Sequence, residues 1–231
     1  MSQSFNPVHM IRTICLVGML VFGGVVTAES GKVEHPKRVV LVGASIGQDW
    51  HFDRIGERVA LPGYRFDYVG VYSFDKGPLI QKLATDPEKP DIVLIKECAA
   101  YFPGNSEQYQ RQFMSWVETL RTAGVQVMIV TTAPVAEPME YIPRAKIFVK
   151  LLIGKPLQLE SIVQFNDWLK QYAQHERIPV FDLEAQLRRS ESERWLRSEY
   201  DAGDKMHLNE SAYRVLDASF AKFLTGWKKG S

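Results

Sequence analysis

The chain predicts an α/β domain, a three-layer α/β/α sandwich around a mainly parallel five-stranded sheet. Three observations carry this expectation. Short apolar runs alternate with helical stretches from residue 38 to residue 225. Most of these runs are nearly continuous, which is the pattern of strands covered on both faces. The alternation extends over a length suited to one domain, as in crossover units laid on a parallel sheet.

Taken in order, the first strand is 38–43, where Arg38 leads into Val39, Val40, Leu41, Val42 and Gly43. A second strand covers 65–69, and a helix follows over about 77–85. The third strand is Asp91–Ile95. The stretch 106–123 then places Tyr109, Phe113, Val117 and Leu120 on one helical face. Ala123-Gly124 stops that helix before a fourth strand, Val125–Thr131. A helix over 160–176, a short strand Pro179–Phe181 and a last helix over 209–225 complete the pattern. Residues 136–158 fit it poorly: Pro138, Pro143 and Pro156 surround an apolar, basic stretch at 145–153. They read as a loop plus a short amphipathic helix inserted after the fourth strand. Its functional readings are a lid over the site or a membrane contact; its structural reading is a surface helix packed on the core. There is no internal repeat and no low-complexity segment.

The first 28 residues read as a signal peptide. Arg12 precedes an uncharged, mostly apolar run from Thr13 to Ala28, and Val26-Thr27-Ala28 supplies small residues before a cut after Ala28. The run is short for a bilayer span, which needs about 20 residues; left uncleaved, it would be an N-terminal anchor. Cys15 lacks the small-residue setting of a lipidation site. Residues 29–231 remain as one domain, exported to the periplasm or secreted. Arg12 is the leader's one charged residue, so basic and acidic residues balance in the rest. A neutral chain without a basic stripe gives no footprint for nucleic acid. Cys98 is then the sole cysteine, which excludes an internal disulfide.

Two separated segments suggest chemistry. Ser45 follows the first strand in Gly43-Ala44-Ser45-Ile46-Gly47, and Asp204 stands three residues before His207 on the loop entering the last helix. A serine hydroxyl is a poor nucleophile until an imidazole takes its proton and a carboxylate orients the ring. In a parallel sheet the carboxyl ends of the strands carry the ligand, and Ser45 lies at such an end. The structural reading makes Ser45 a turn residue or helix cap, and Asp204 and His207 a capped loop.

Together these segments resemble the SGNH (GDSL-like) hydrolases, a superfamily of esterases, lipases and carbohydrate deacetylases with a flavodoxin-like three-layer fold. Gly43-Ala44-Ser45 stands where that family has Gly-Asp-Ser, with Ala44 replacing the aspartate. Asp204 to His207 and the helix after them match its final block. Val130-Thr131-Thr132-Ala133-Pro134 and Phe165-Asn166-Asp167-Trp168-Leu169 are also family-like, so the resemblance covers about residues 38–225. It implies Ser45 as nucleophile, His207 as base, Asp204 as orienter and the Gly70 backbone N–H as an oxyanion donor. No cofactor is expected. The expected substrate is an acyl or acetyl ester of a small molecule, glycan or lipid. After the third strand the family has Gly-x-Asn-Asp, whose asparagine is a second oxyanion donor. Here Lys96-Glu97-Cys98-Ala99-Ala100-Tyr101 stands there, and Cys98 or Ala100 takes the asparagine place; Asn105 and Lys96 are the nearest substitute donors. A binding module on the same fold, with weakened chemistry, is the competing expectation.

Other residues carry less. Cys98, flanked by apolar residues, reads as a buried small residue rather than a nucleophile. Lys96 and Glu97 at a strand end either pair with neighbours or face the pocket to select substrate. No pair among the other histidines, His9, His35, His51 and His175, has metal-ligand spacing, so no metal is expected. Trp50, Phe52, Tyr72, Phe74, Tyr101 and Phe102 crowd the strand ends, as a wall for an acyl chain, a stacking face for sugar, or plain core. Read as a phosphate loop, 43–47 would make the chain a nucleotide binder, but the segment lacks Gly-x-Gly-x-x-Gly.

Overall fold

The computed structural model describes residues 35–138 and 157–230. The leader and most of the 136–158 segment lie outside the described residues. Five strands form one sheet: β1 (Lys37–Gly43), β2 (Tyr64–Gly70), β3 (Ile92–Lys96), β4 (Gln126–Val130) and β5 (Val180–Phe181). Their order is β2-β1-β3-β4-β5, and every pairing is parallel. Helices α1 (Ser45–Asp49), α2 (Ile55–Arg58), α3 (Gly77–Thr85), α4 (Ser106–Thr122), α5 (Gln158–Glu176), α6 (Leu183–Leu187) and α7 (Glu210–Gly230) connect and cover it.

The central strands explain the layers. Val39 to Val42 and Ile92 to Ile95 have no exposed surface. Successive side chains leave a strand on opposite faces, so each run feeds two cores. Val39, Leu41, Ile92 and Leu94 meet Ile46, Trp50, Leu183, Leu208, Ala212, Leu216 and Phe220 on the α1/α6/α7 side. Val40, Val42, Val93 and Ile95 meet Ile80, Leu83, Phe113, Val117, Ile162 and Phe165 on the α3/α4/α5 side. Full burial of one such aliphatic or aromatic side chain contributes roughly 1.5–3 kcal/mol, so the two cores hold both helix layers to the sheet.

The helix bounds agree with the sequence pattern to within two residues, except that α7 continues to Gly230 rather than ending at 225. The short helices α1, α2 and α6 carry no periodic signal, and the sequence pattern does not predict them. They matter for the site, because α1 begins at the candidate nucleophile.

Candidate active site

β1 runs into α1 with one residue between them. Ala44 is extended, with φ −116° and ψ −151°, and Ser45 is the first helical residue. Ala44 is 3% exposed, so a small apolar side chain fits where the carboxylate of a Gly-Asp-Ser block would stand. Its carbonyl accepts from the N–H of Gly47 at 2.9 Å and of Gln48 at 3.4 Å. It also accepts from the hydroxyl of Tyr68 on β2 at 2.9 Å. Glycine is required at 47, where a Cβ would fall 2.6 Å from the Tyr68 ring. Gly70 closes β2 level with Gly43. The next amide, of Val71, donates to the Gly43 carbonyl at 2.7 Å. Amides alternate along a strand, so the Gly70 N–H lies outside that ladder.

The second half of the site is a loop held by its own side chains. Asp201 Oδ1 accepts from the N–H groups of Gly203 at 2.9 Å and Lys205 at 3.0 Å. Asn209 Nδ2 donates to the carbonyls of Glu199 at 2.8 Å and Asp201 at 3.2 Å, while its Oδ1 caps α7 through Ala212 N–H at 3.2 Å. Ala136 N–H, in the segment after β4, donates to the Lys205 carbonyl at 3.2 Å. This frame presents Asp204 and His207. Asp204 Oδ1 accepts from Met206 N–H at 3.0 Å and His207 N–H at 2.7 Å, and Oδ2 accepts from His207 Nδ1. His207 Nε2 stands 3.1 Å from Ser45 Oγ, across 162 residues of sequence. The imidazole, then these two amides, hold the Asp204 carboxyl down to about 2. A carboxylate on Nδ1 keeps the proton there and leaves Nε2 free to accept from the serine. Ser45, Asp204 and His207 are thus brought together.

No family sequence model matches the chain, and no curated protein matches it by sequence. Solved structures do match its fold. A GDSL-like lipase from Bacteroides thetaiotaomicron is similar at 19% identity and a TM-score of 0.60, covering 81% of this chain and 87% of that one. A lipase/acylhydrolase from Enterococcus faecalis is similar at 16% identity and a TM-score of 0.57, over 82% of this chain and 96% of that one. A catalytic mutant of an acetylxylan esterase from Geobacillus stearothermophilus is similar at 13% identity and a TM-score of 0.59, over 83% and 95%. The chain has the SGNH hydrolase fold.

The end of β3 buries charged side chains. Lys96, Glu97 and Cys98 are all buried, at 1%, 0% and 9% exposure. Glu97 Oε2 accepts from the Lys76 ammonium at 2.6 Å, and neither side chain has exposed surface. Lys76 also donates to the carbonyls of Ser73 and Phe74 and lies 5.4–5.6 Å from the ring centres of Phe74, Tyr101 and Trp116. Burial pushes the Glu97 carboxyl up to about 7, against the pull of Lys76. Burial pushes the Lys96 ammonium down to about 8. The Lys96 ammonium donates to the Glu97 carbonyl at 2.9 Å. Asn105, the other substitute donor suggested by sequence, caps α4 by accepting from Gln108 N–H at 3.1 Å. Sequence reasoning missed Lys76, whose setting reads only as a turn before α3.

The family-like Thr131, Thr132 and Asn166 form a buried polar brace beside β4, to which the partly exposed Asp167 is joined through Arg194. Asn166 accepts from Thr132 N–H at 2.8 Å, and donates to the Thr132 carbonyl at 2.9 Å and Glu184 Oε2 at 3.0 Å. Arg194 joins Glu184 to Asp167, with 2.7 and 2.8 Å contacts to the latter. Of the strand-end aromatics, Trp50, Phe52, Phe74 and Phe102 are core, Tyr101 is half-buried, and Tyr72 is 64% exposed. Among the described residues, no three His, Cys, Asp or Glu side chains group as metal ligands.

Proposed function

We propose that the chain is an exported serine hydrolase of carboxylic esters. The observation that carries this reading is the Ser45–His207 approach of 3.1 Å, with Asp204 on the far ring nitrogen. His207 Nε2 takes the Ser45 hydroxyl proton as Oγ bonds to the ester carbonyl carbon. The carbonyl π pair moves to oxygen, where the N–H groups of Ser45 and Gly70 face the charge. The intermediate collapses, the C–O bond to the leaving alcohol breaks, and the imidazolium returns its proton to that oxygen. Water, losing a proton to the same nitrogen, then attacks the acyl-serine. Collapse frees the carboxylic acid and restores Ser45 with the proton from His207. That the similar structures include lipases and an esterase supports this class of substrate.

One observation favours a second reading, a binding module on this fold. The asparagine position after β3 holds no side-chain amide; of the two substitutes, Lys96 donates to the Glu97 carbonyl, and Asn105 is fixed by its Oδ1 at the start of α4. Loss of one oxyanion donor costs roughly 10²–10³ in turnover. Hydrolysis of short p-nitrophenyl esters by the wild type, Ser45→Ala and His207→Ala separates the two. The hydrolase reading expects turnover that both substitutions abolish; equal rates in all three would leave the binding module. The export proposal expects the protein recovered outside the cytoplasm to begin at Glu29, read by N-terminal sequencing. A start at Met1 there would overturn the cleavage.

A further inference from the structure

The Ala44–Ser45 peptide is the hinge between β1 and the nucleophile. Ser45 N–H lies in the first turn of α1, where amides have no intrahelical acceptor. A trans peptide is planar, with C=O and N–H pointing in opposite directions, so whatever fixes the Ala44 oxygen also aims the Ser45 N–H. Among the described residues three donors reach that oxygen, and two of them belong to α1 itself, a helix of five residues. The third, Tyr68 Oη at 2.9 Å, comes from the rigid sheet.

We infer that Tyr68 is a positioning residue: by holding the Ala44 carbonyl, its hydroxyl fixes the Ser45 N–H in the direction of the developing oxyanion. The inference rests on the hydrolase reading and adds to it a residue that no part of that reading required. The seat of Tyr68 is built for the purpose on both sides. A Cβ at Gly47 would stand 2.6 Å from ring atom Cε2, and a Cβ at Gly70 would stand 2.9 Å from Oη. Burial, then the neighbouring Tyr72, push the phenol well above its ordinary range, so the group remains a donor. A hydrogen bond received by a carbonyl also polarises its peptide and strengthens the N–H on the other side. With no asparagine after β3, a larger share of oxyanion stabilisation falls on that N–H.

The test is a cycle of Tyr68→Phe, Gly70→Ala and the double variant in the full chain. Its readouts are kcat and KM on p-nitrophenyl acetate, inhibition by phenylboronic acid, which forms a tetrahedral adduct on an active serine, and Tm. Tyr68→Phe should lower kcat by about tenfold, less than outright loss of a donor, and weaken the boronate in parallel, with KM nearly unchanged. A structural filler would instead lower Tm and leave the boronate affinity of the folded fraction intact. Gly70→Ala should lower kcat by pressing on Oη, yet add nothing when combined with Tyr68→Phe. In the double variant the nearest remaining ring atoms lie 3.4 Å from the new Cβ, an ordinary contact. Unchanged kcat and boronate affinity in Tyr68→Phe, with Ser45→Ala inactive, would overturn the positioning role and leave the hydrolase standing. Absence of both Ser45-dependent turnover and a boronate adduct in the wild type would remove the hydrolase reading and this inference with it.

Discussion

Glu97 and Lys76 face each other at 2.6 Å with no side-chain surface in water, Glu97 directly following the last residue of β3. Two charges removed from solvent lose several kcal/mol each, and their attraction returns this only while both are present. Among the described residues, Glu97 Oε1 has no hydrogen-bond partner, so the pair is incompletely compensated there. Lys76→Met should therefore destabilise by roughly 3–5 kcal/mol near pH 9.5, where Glu97 is ionised and loses its cation, and by much less near pH 5, where the carboxyl is already protonated. Lys76→Met/Glu97→Met, which fills the same space with thioethers, should recover most of that loss. Urea unfolding of the two variants measures both numbers, and a double variant as unstable as the single one would show that packing rather than charge governs the site. From sequence, Lys96 and Glu97 stood out as charges at a strand end that needed partners. The identity of the partner did not, because Lys76 reaches Glu97 only after the chain between β2 and α3 folds back over the sheet. Tyr68 was hidden for a related reason. On an edge strand it reads as one more aromatic, and only the register of β2 against β1 brings its hydroxyl to Ala44.

At the scale of elements, what could be read was what has a period. α4 puts Phe113, Val117 and Leu120 on its buried face, and α5 puts Ile162, Phe165, Leu169 and Ala173 on its own. Both were legible to within two residues from apolar spacing alone. α1, α2 and α6 have four or five residues each, too few for a stripe, and their stability is tertiary. At the end of α1, Trp50 Nε1 donates to Asp217 Oδ1 of α7 at 2.8 Å, and Arg58 of α2 donates to the same carboxylate at 2.7 and 2.9 Å. One acidic residue thus ties the helix that begins at Ser45 to the helix that follows His207. Asn166 shows the opposite failure. It sits at full burial on the apolar face of α5, where period alone would place a hydrocarbon. It was noticed only through the resemblance, and the physical reason is that it satisfies both backbone groups of Thr132. The approach of Ser45, Asp204 and His207 was legible because their order, strand and helix all agreed, whereas the direction of a backbone N–H is reported by no residue type.

For the molecule as a whole, the buried cluster at β3 sets how stability follows pH. Glu97 is raised to about 7 from 4.5. The folded state therefore binds more protons than the unfolded chain between those values, and this contribution, fully present below pH 4.5, is lost as pH rises through 7. Lys96 is lowered to about 8 from 10.5, so the unfolded chain binds more protons there and stability rises again from pH 8 towards 10.5. The half-buried tyrosines, Tyr68, Tyr101 and Tyr213 among them, are raised by burial and pull stability down once the unfolded phenols ionise above their ordinary value of 10.0. Asp204, lowered to about 2 from 3.8, adds stability above 3.8 that disappears as pH falls through 2. The signs combine to a shallow minimum near pH 7–8, flanked by gains on both sides, where a domain without buried charge would show a plateau. Denaturant unfolding near pH 5, 7.5 and 9.5 measures it. The middle value should be the lowest, Glu97→Gln should flatten the acid limb, and Lys96→Met should flatten the alkaline limb. A wild type most stable at 7.5, with limbs unmoved by either substitution, would mean that the β3 cluster titrates no differently in the folded and unfolded chains.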